Sequence, residues 1–261
     1  MQHHIICPKT GGLFFLSDFK NKDYEGLLTS SALYKIIYNR GNAVKIYVDH
    51  KLITLKKDEV LFCKPLNTVQ VSKPHDTVNV VAYNKDFYKL SNAAEEASFY
   101  WFWYFGVNHP HIFQLSEVEQ GFFQMMYECM EREFNQYNGC IETVRDVLKR
   151  VMAVSIMRVE DSPIVPSIGE TQLHIIKKFS LLIEEHFRKK IAFTDIPKLL
   201  KRNPSYVSKL LTKYFGKRAV KTAKEKFILE SKQAGARIEK RMEIQYPSRL
   251  NTLSEAEHQI Q

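Results

Sequence analysis

The chain has 261 residues, of which 44% are apolar. That suffices for one large domain or two modest ones and is too apolar for a disordered protein. The net charge is +9, and the four cysteines, Cys7, Cys63, Cys129 and Cys140, are scattered without a C-x-x-C, which argues against a disulfide framework or a zinc site. No apolar run reaches membrane-spanning length, and the start, MQHHIICPKTGG, lacks the features of a secretory leader, so a soluble, reduced, cytoplasmic protein with no membrane partner is expected.

Residues 11–90 read as a β region. ALYKIIYNR, NAVKIYVD, KLITLKKDEVLFCKP and DTVNVVAYN either alternate apolar with polar residues or are rich in Val, Ile and Tyr. Turn signals separate them at Arg40-Gly41-Asn42, Asp49-His50, Lys57-Asp58 and Pro65-Leu66-Asn67. Short strands at this spacing predict a small sandwich or open barrel. FYWFWYFGV, residues 99–107, reads as a core strand or the segment that closes the barrel, with an apolar ligand pocket or a subunit contact as the functional alternative.

From about residue 92 to 158 the pattern is helical. Ser116-Glu117-Val118-Glu119 has the form of a capping box. Behind it Val118, Phe122, Met126 and Cys129 share one helical face. A second helix over about 141–158 puts Val144, Leu148, Val151 and Ser155 on one face, with Val147 and Val154 beside it. Two such helices predict an antiparallel pair that packs on the barrel or on the same pair of a second subunit.

Motifs for catalysis are missing. The strand region contains only His50 and His75 and has no H-x-H; His109-Pro110-His111 lies beyond it and reads as a polar loop. There is no G-x-S-x-G, Walker loop or G-x-G-x-x-G. No catalytic residue, metal or cofactor is expected, and a barrel enzyme with a basic appendage is the least favoured reading.

EDSPIVPSIGE, residues 160–170, has the composition of a linker. The charge changes sign there. Residues 171–241 contain 19 of the 38 basic residues and 6 of the 29 acidic ones, so that stretch carries +13 and the remainder −4. Such asymmetry suits a polyanionic partner.

TQLHIIKKFSLLIEEHFR, residues 171–188, predicts a helix with Leu173, Ile176, Phe179, Ile183 and Phe187 on one side. Thr194 can cap a short helix with Ile196, Leu199 and Leu200 inside and Pro197 in its first turn. Asn203 can cap the next, with Pro204 at its first position and Gly216 as its stop. Val207, Leu210, Leu211 and Tyr214 then face inward. Ser205, Tyr206, Ser208, Lys209, Thr212 and Lys213 face outward. Two short helices, a tight turn and a basic outer face on the second form the helix-turn-helix pattern, whose second helix enters the major groove of double-stranded DNA by its N-terminal residues. On this reading Ser205, Tyr206 and Lys209 meet base edges, and Asn203, Lys213, Lys217 and Arg218 meet phosphates.

NPSYVSKLLTKYFGKR followed by KFILESK resembles the first half of the AraC-type DNA-binding domain. VVAYNKDFYKL, IFQLSEVEQGFFQMMYECMEREF and VRDVLKRVMAVSIMR resemble the N-terminal halves of AraC-type regulators, so the likeness spans about residues 11–233. It implies an α+β protein, with a cupin-like β-barrel and dimerising helices over 1–159, a linker over 160–170 and an all-α helix-turn-helix domain over 171–233. It also implies a sugar- or metabolite-class small-molecule effector in the barrel, at unassigned positions, and a homodimer through the helices of about 116–158.

The chain departs from the family pattern at Pro197, where Ala is usual, at Arg202, where the turn is usually apolar, and at Asn203, which replaces a Ser cap. The family continues into a second helix-turn-helix. Here residues 234–261, AGARIEKRMEIQYPSRLNTLSEAEHQIQ, have no two-helix apolar pattern and read as a divergent tail, as a frame change or truncation would leave. The expected function is a DNA-binding transcription regulator of reduced sequence specificity. The alternative is a ligand-binding and dimerising protein that does not read DNA and interferes with full-length relatives.

Overall fold

The structure is a computed structural model that describes residues 2–19, 25–30, 32–65, 67–71, 75–104, 110–137, 139–160, 169–189 and 196–215, all within one compact unit, Met1–Ala219. Most of the linker of residues 160–170, Thr194, His109, Gly216, Lys217, Arg218 and the tail of residues 234–261 fall outside the described residues.

The protein is a mixed α/β molecule. Nine strands occur among the described residues: β1 (Gln2–Cys7), β2 (Gly12–Phe19), β3 (Tyr34–Asn39), β4 (Val44–Val48), β5 (Lys51–Leu55), β6 (Glu59–Cys63), β7 (Val69–Val71), β8 (His75–Tyr83) and β9 (His111–Gln114). Six form one sheet in the order β1-β2-β8-β3-β6-β9, and three form another in the order β5-β4-β7. Every pairing is antiparallel. The sheets end on free edges, so among the described residues there is no closed barrel; this corrects the cupin-like β-barrel that the resemblance implied, while two open sheets packed face to face fit the small sandwich that the strand spacing predicted. The chain passes from the small sheet to the large one at Lys56–Asp58. There Asp58 takes a left-handed φ of 59° and its N–H donates to the Asn39 carbonyl at 2.7 Å.

Alternation explains the layering. β4, VKIYV, buries every second residue, as a strand with one wet face must. Its Val44, Ile46 and Val48 pack with Leu55 and Val69 against Ile37, Leu61, Cys63, Val78 and Val80 of the large sheet. β3, YKIIYN, is buried at all six positions because helices cover its other face. At Gly41, in the turn that follows, a Cβ would overlap Thr77, so only glycine fits that approach.

The helices are α1 (Glu25–Thr29), α2 (Lys85–Tyr88), α3 (Ala93–Tyr104), α4 (Glu117–Tyr137), α5 (Ile141–Glu160), α6 (Glu170–Lys189), α7 (Ile196–Leu199) and α8 (Pro204–Phe215). The aromatic run expected as a strand is helical through Tyr104, although its core placement holds: Phe99, Tyr100, Phe102 and Trp103 are buried. The rings of Phe99 and Trp103 lie 5.3 and 4.7 Å from that of Tyr34, and Phe102 lies 5.1 Å edge-on to Phe62. Seven consecutive aromatics, residues 99–105, do not alternate, and a helix lets the buried ones meet two neighbours at once.

The capping box of α4 is formed. The Ser116 N–H donates to Glu119 Oε2 at 2.7 Å, and the Glu119 N–H donates back to Ser116 Oγ at 3.4 Å. Its expected apolar face is displaced, however. Val118 is 84% exposed and Phe122, Met126 and Cys129 are half-buried, while Phe123 and Met130 are buried. α5 buries Val144, Val147, Leu148, Val151 and Ser155 as expected. Polar ties fix it to α2 and α3 and the turn between them: Arg145 Nε donates to the Phe87 carbonyl at 2.7 Å, and Lys149 Nζ reaches Ser91 Oγ and Glu95 Oε1, both at 3.0 Å.

Candidate nucleic-acid interface

α7 and α8 together span residues 196–215, with five basic residues and no acidic one. α7 has four residues and ends where the Lys201 N–H donates to the Lys198 carbonyl at 3.0 Å. Lys201 takes a left-handed φ of 52°, which turns the chain sharply. Asn203 then caps α8: its Oδ1 accepts from the Ser205 N–H at 2.8 Å and its carbonyl from the Val207 N–H at 3.1 Å. Pro204 stands first in the helix, where a missing N–H costs nothing. These are the start signals that the sequence carried.

The inward face consists of Leu200, Val207 and Leu210, all buried. The side chains of Leu211 and Tyr214, like those of Ile196 and Pro197, lie outside the described set. Leu199, expected inside α7, is 40% exposed while Leu200 is buried. Adjacent residues on a helix point about 100° apart, so one short turn can bury only one of the two.

The outward face matches the expectation. Ser205, Tyr206, Ser208, Lys209, Thr212 and Lys213 are exposed, as are Lys198, Lys201, Arg202 and Asn203. Residues 205 and 209 are four apart, and 206, 209 and 213 follow at three and four, so they form one ridge beginning at the helix start. Tyr206 is 39% exposed, its ring available to an apolar base edge. The Asn203 side-chain carbonyl is used in the cap, so its amide NH2 is the end that can reach a phosphate. Lys217 and Arg218, the other expected phosphate contacts, lie outside the described residues.

α6 supports this pair. It packs against α3 and also meets α7 and α8, burying Ile175, Ile176, Phe179 and Leu182. The expected stripe named Ile176 and Phe179 but not Ile175 or Leu182. The side chains of Ile183 and Phe187 are not among those described, and Leu173 is half-buried.

No family model matches the chain, and no curated protein matches it. Solved structures do. The AraC-like transcriptional activator CuxR is 10% identical, with a TM-score of 0.37 over 84% of this chain and 73% of that one. ToxT from Vibrio cholerae is 12% identical, with a TM-score of 0.36 over 77% and 74%. Wild-type ToxT from the same organism, bound to an unsaturated fatty acid, is 13% identical, with a TM-score of 0.35 over 77% and 72%. Likeness of this degree leaves the role of the chain to its own residues.

Elsewhere the described residues contain no cluster of His, Cys, Asp and Glu that could hold a metal ion. Among them no helix is long and apolar enough to cross a membrane. His111 sits beside the aromatic helix and donates from Nε2 to the Phe102 carbonyl at 2.8 Å. Lys35 was missed from sequence. It is fully buried, its Nζ donating to the carbonyls of Ser30 at 2.8 Å and Asn67 at 3.0 Å. Burial pulls its pKa down to about 8 and pushes that of Cys63, its partner across β3 and β6, up to about 12. Only a Lys inside a short apolar strand hinted at this.

Proposed function

We propose that the protein is a DNA-binding transcription regulator of the AraC type, with α8 entering the major groove by its first two turns. The observation that carries this reading is the ridge of α8: exposed, basic, without a carboxylate and starting at a capped helix end. Ser205, Tyr206 and Lys209 read base edges, Lys209 being suited to the O6 and N7 acceptors of guanine. Asn203, Lys213, Lys217 and Arg218 hold phosphates. A single element of this kind makes few base contacts, each worth about 1–3 kcal/mol of discrimination, so specificity is reduced.

The reading includes a homodimer through α4 and α5, which sets two such elements on two half-sites. In support, α4 leaves Val118 and Met125 exposed, and a side chain at Gly121 between them would meet nothing within the molecule. Met125→Glu is expected to shift the protein toward monomer in sedimentation equilibrium. The part over residues 1–159 is read as the sensing half, which takes a small-molecule effector.

Selection from a randomised duplex pool at two salt concentrations tests the proposal. Enrichment of a short motif with steep salt dependence supports it. Salt-sensitive binding without enrichment would favour a protein that dimerises with relatives without reading DNA. Absence of binding at low salt would remove DNA from the account.

A further inference from the structure

We propose that β5 is a docking edge at which an extended acidic peptide adds a strand to the small sheet. The inference goes beyond DNA binding and does not depend on it.

The turn between β4 and β5 fixes what that edge offers. Asp49 and His50 both take left-handed φ values, 50° and 65°, the conformations that a two-residue hairpin turn requires. Val48 and Lys51 face each other across it, and such a turn makes them a hydrogen-bonded pair. Bonded and non-bonded pairs then alternate along the ladder. Lys51, Ile53 and Leu55 therefore direct their backbone groups to β4, while Leu52 and Thr54 turn N–H and C=O outward. β5 is the end strand of its sheet, and β4 is its only strand partner among the described residues. Two donors and two acceptors thus line an open edge at the repeat of a strand.

The side chains around this edge are apolar and basic. Leu52 is 51% exposed, and Tyr47, directly opposite it on β4, is 39% exposed. Lys51 opens β5, Lys56 and Lys57 follow its end, and Lys45 stands on β4; all four are exposed. None of the four makes an ion pair among the described residues. The stretch 45–57 has only one acid against them, Asp49. Its carboxylate is engaged, accepting from the Thr68 N–H at 2.9 Å and from Asn67 Nδ2 at 2.6 Å. Of the two acids that follow, Asp58 is half-buried and Glu59 accepts from the Lys56 N–H at 2.7 Å.

These features select the occupant. A second copy of the edge is disfavoured. Laid antiparallel on itself with Ile53 opposite Thr54, β5 sets Lys51 against Lys56, and like charges in that position destabilise a sheet. A nucleic-acid backbone offers phosphates to the lysines but no donor to the outward carbonyls. An extended peptide answers both sets. Its main chain pairs with Leu52 and Thr54, as in strand addition, and its acidic side chains meet the lysines. Lys51 and Lys56 are five residues apart, about 17 Å along a strand. The partner is thus an extended segment with an apolar centre over Leu52 and acids at about that separation on either side.

A synthetic octapeptide tests this on the full chain: two glutamates at each end of an alternating valine–threonine centre, with a control in which lysines replace the glutamates. The acidic peptide is expected to bind about tenfold more tightly than the control. Amide exchange read by NMR is expected to slow at Leu52 and Thr54, while Lys51 and Ile53, already bonded to β4, keep their rates. Thr54→Pro removes an outward N–H and leaves the β4 ladder intact, so it is expected to weaken the acidic peptide about tenfold with the thermal midpoint unmoved. Should Thr54→Pro unfold the small sheet, Lys51→Glu and Lys56→Glu carry the same test on exposed side chains: each is expected to weaken the acidic peptide and tighten the basic one. Equal binding of the two peptides, slowed exchange confined to places other than β5, or no binding at millimolar acidic peptide would each overturn the proposal. Slowing at Leu52 and Thr54 that grows with protein concentration alone would replace the peptide with a second copy. Slowing there by duplex DNA and not by the peptide would replace it with nucleic acid. None of these readings uses α8, so the proposal can fail while the recognition helix stands, or survive its loss.

Discussion

Lys35 lies on an interior strand of the large sheet with no exposed surface, and its Nζ is held by two backbone carbonyls. Its pKa in the fold, about 8, is below the ordinary 10.5, so the unfolded chain binds the proton more tightly. The Lys35 contribution is therefore full above about pH 10.5 and is lost as pH falls toward 8. Denaturant midpoints over that window, compared with those of Lys35→Met, should show the unaltered protein gaining stability with pH relative to the variant. Lys201 is a second case. A side chain in the left-handed region costs about 1 kcal/mol, and its N–H bond to Lys198 does not depend on the side chain. Lys201→Gly should raise the unfolding free energy from urea titration by about that amount while removing one positive charge from the exposed basic face. On the proposed DNA-binding reading the two lysines of α8 differ: Lys209→Ala should relax base preference, and Lys213→Ala should weaken binding to all duplexes alike. Equal effects of both on every sequence would refute the recognition-helix assignment.

Among the elements, α4 and α5 differ in how readable they were. α5 has a single apolar stripe, and its buried face follows the sequence period at Val144, Leu148, Val151 and Ser155. α4 has two stripes. The sequence pattern favours the one beginning at Val118, whereas Phe123 and Met130 face the core, with Phe134 stacked on His3 and close to Phe14. The stripes lie roughly a third of a turn apart, and periodicity alone does not choose between them. Phe123→Ala should cost about 3 kcal/mol and Val118→Ala almost nothing, as thermal unfolding would show. The start of α8 was legible because its signals are local: Asn203, Pro204 and the apolar step behind them. β1 and β9 were not. QHHIIC puts two histidines ahead of two isoleucines, and HIFQ is only four residues long, so neither alternates far enough to register. Lys35 was invisible because its burial depends on α1 and the loop before β7 closing over it.

Among the described residues, three layers follow one another: the small sheet, the large sheet, and a helical layer in which α3 packs against α6. The division into a β part and a helical part was readable from composition and turn signals. The choice between sandwich and open barrel was not, because strand patterns fix which face is wet and not how the strands are shared between sheets. The net positive charge is confined to the C-terminal part, and its described ridge stands on α8.

Strand β8 has a consequence for how the chain comes to be made. It pairs with β2 on one side and β3 on the other, so it joins the two halves of the large sheet although it comes late in sequence. While the chain emerges from the ribosome, the β1–β2 and β3–β6 ribbons must wait for residues 75–83 with their apolar faces bare. Closure over so long a separation is slow, and bare strand edges invite the wrong partner meanwhile. A nascent chain that stalls before Tyr83 is the form of this protein most in need of a chaperone.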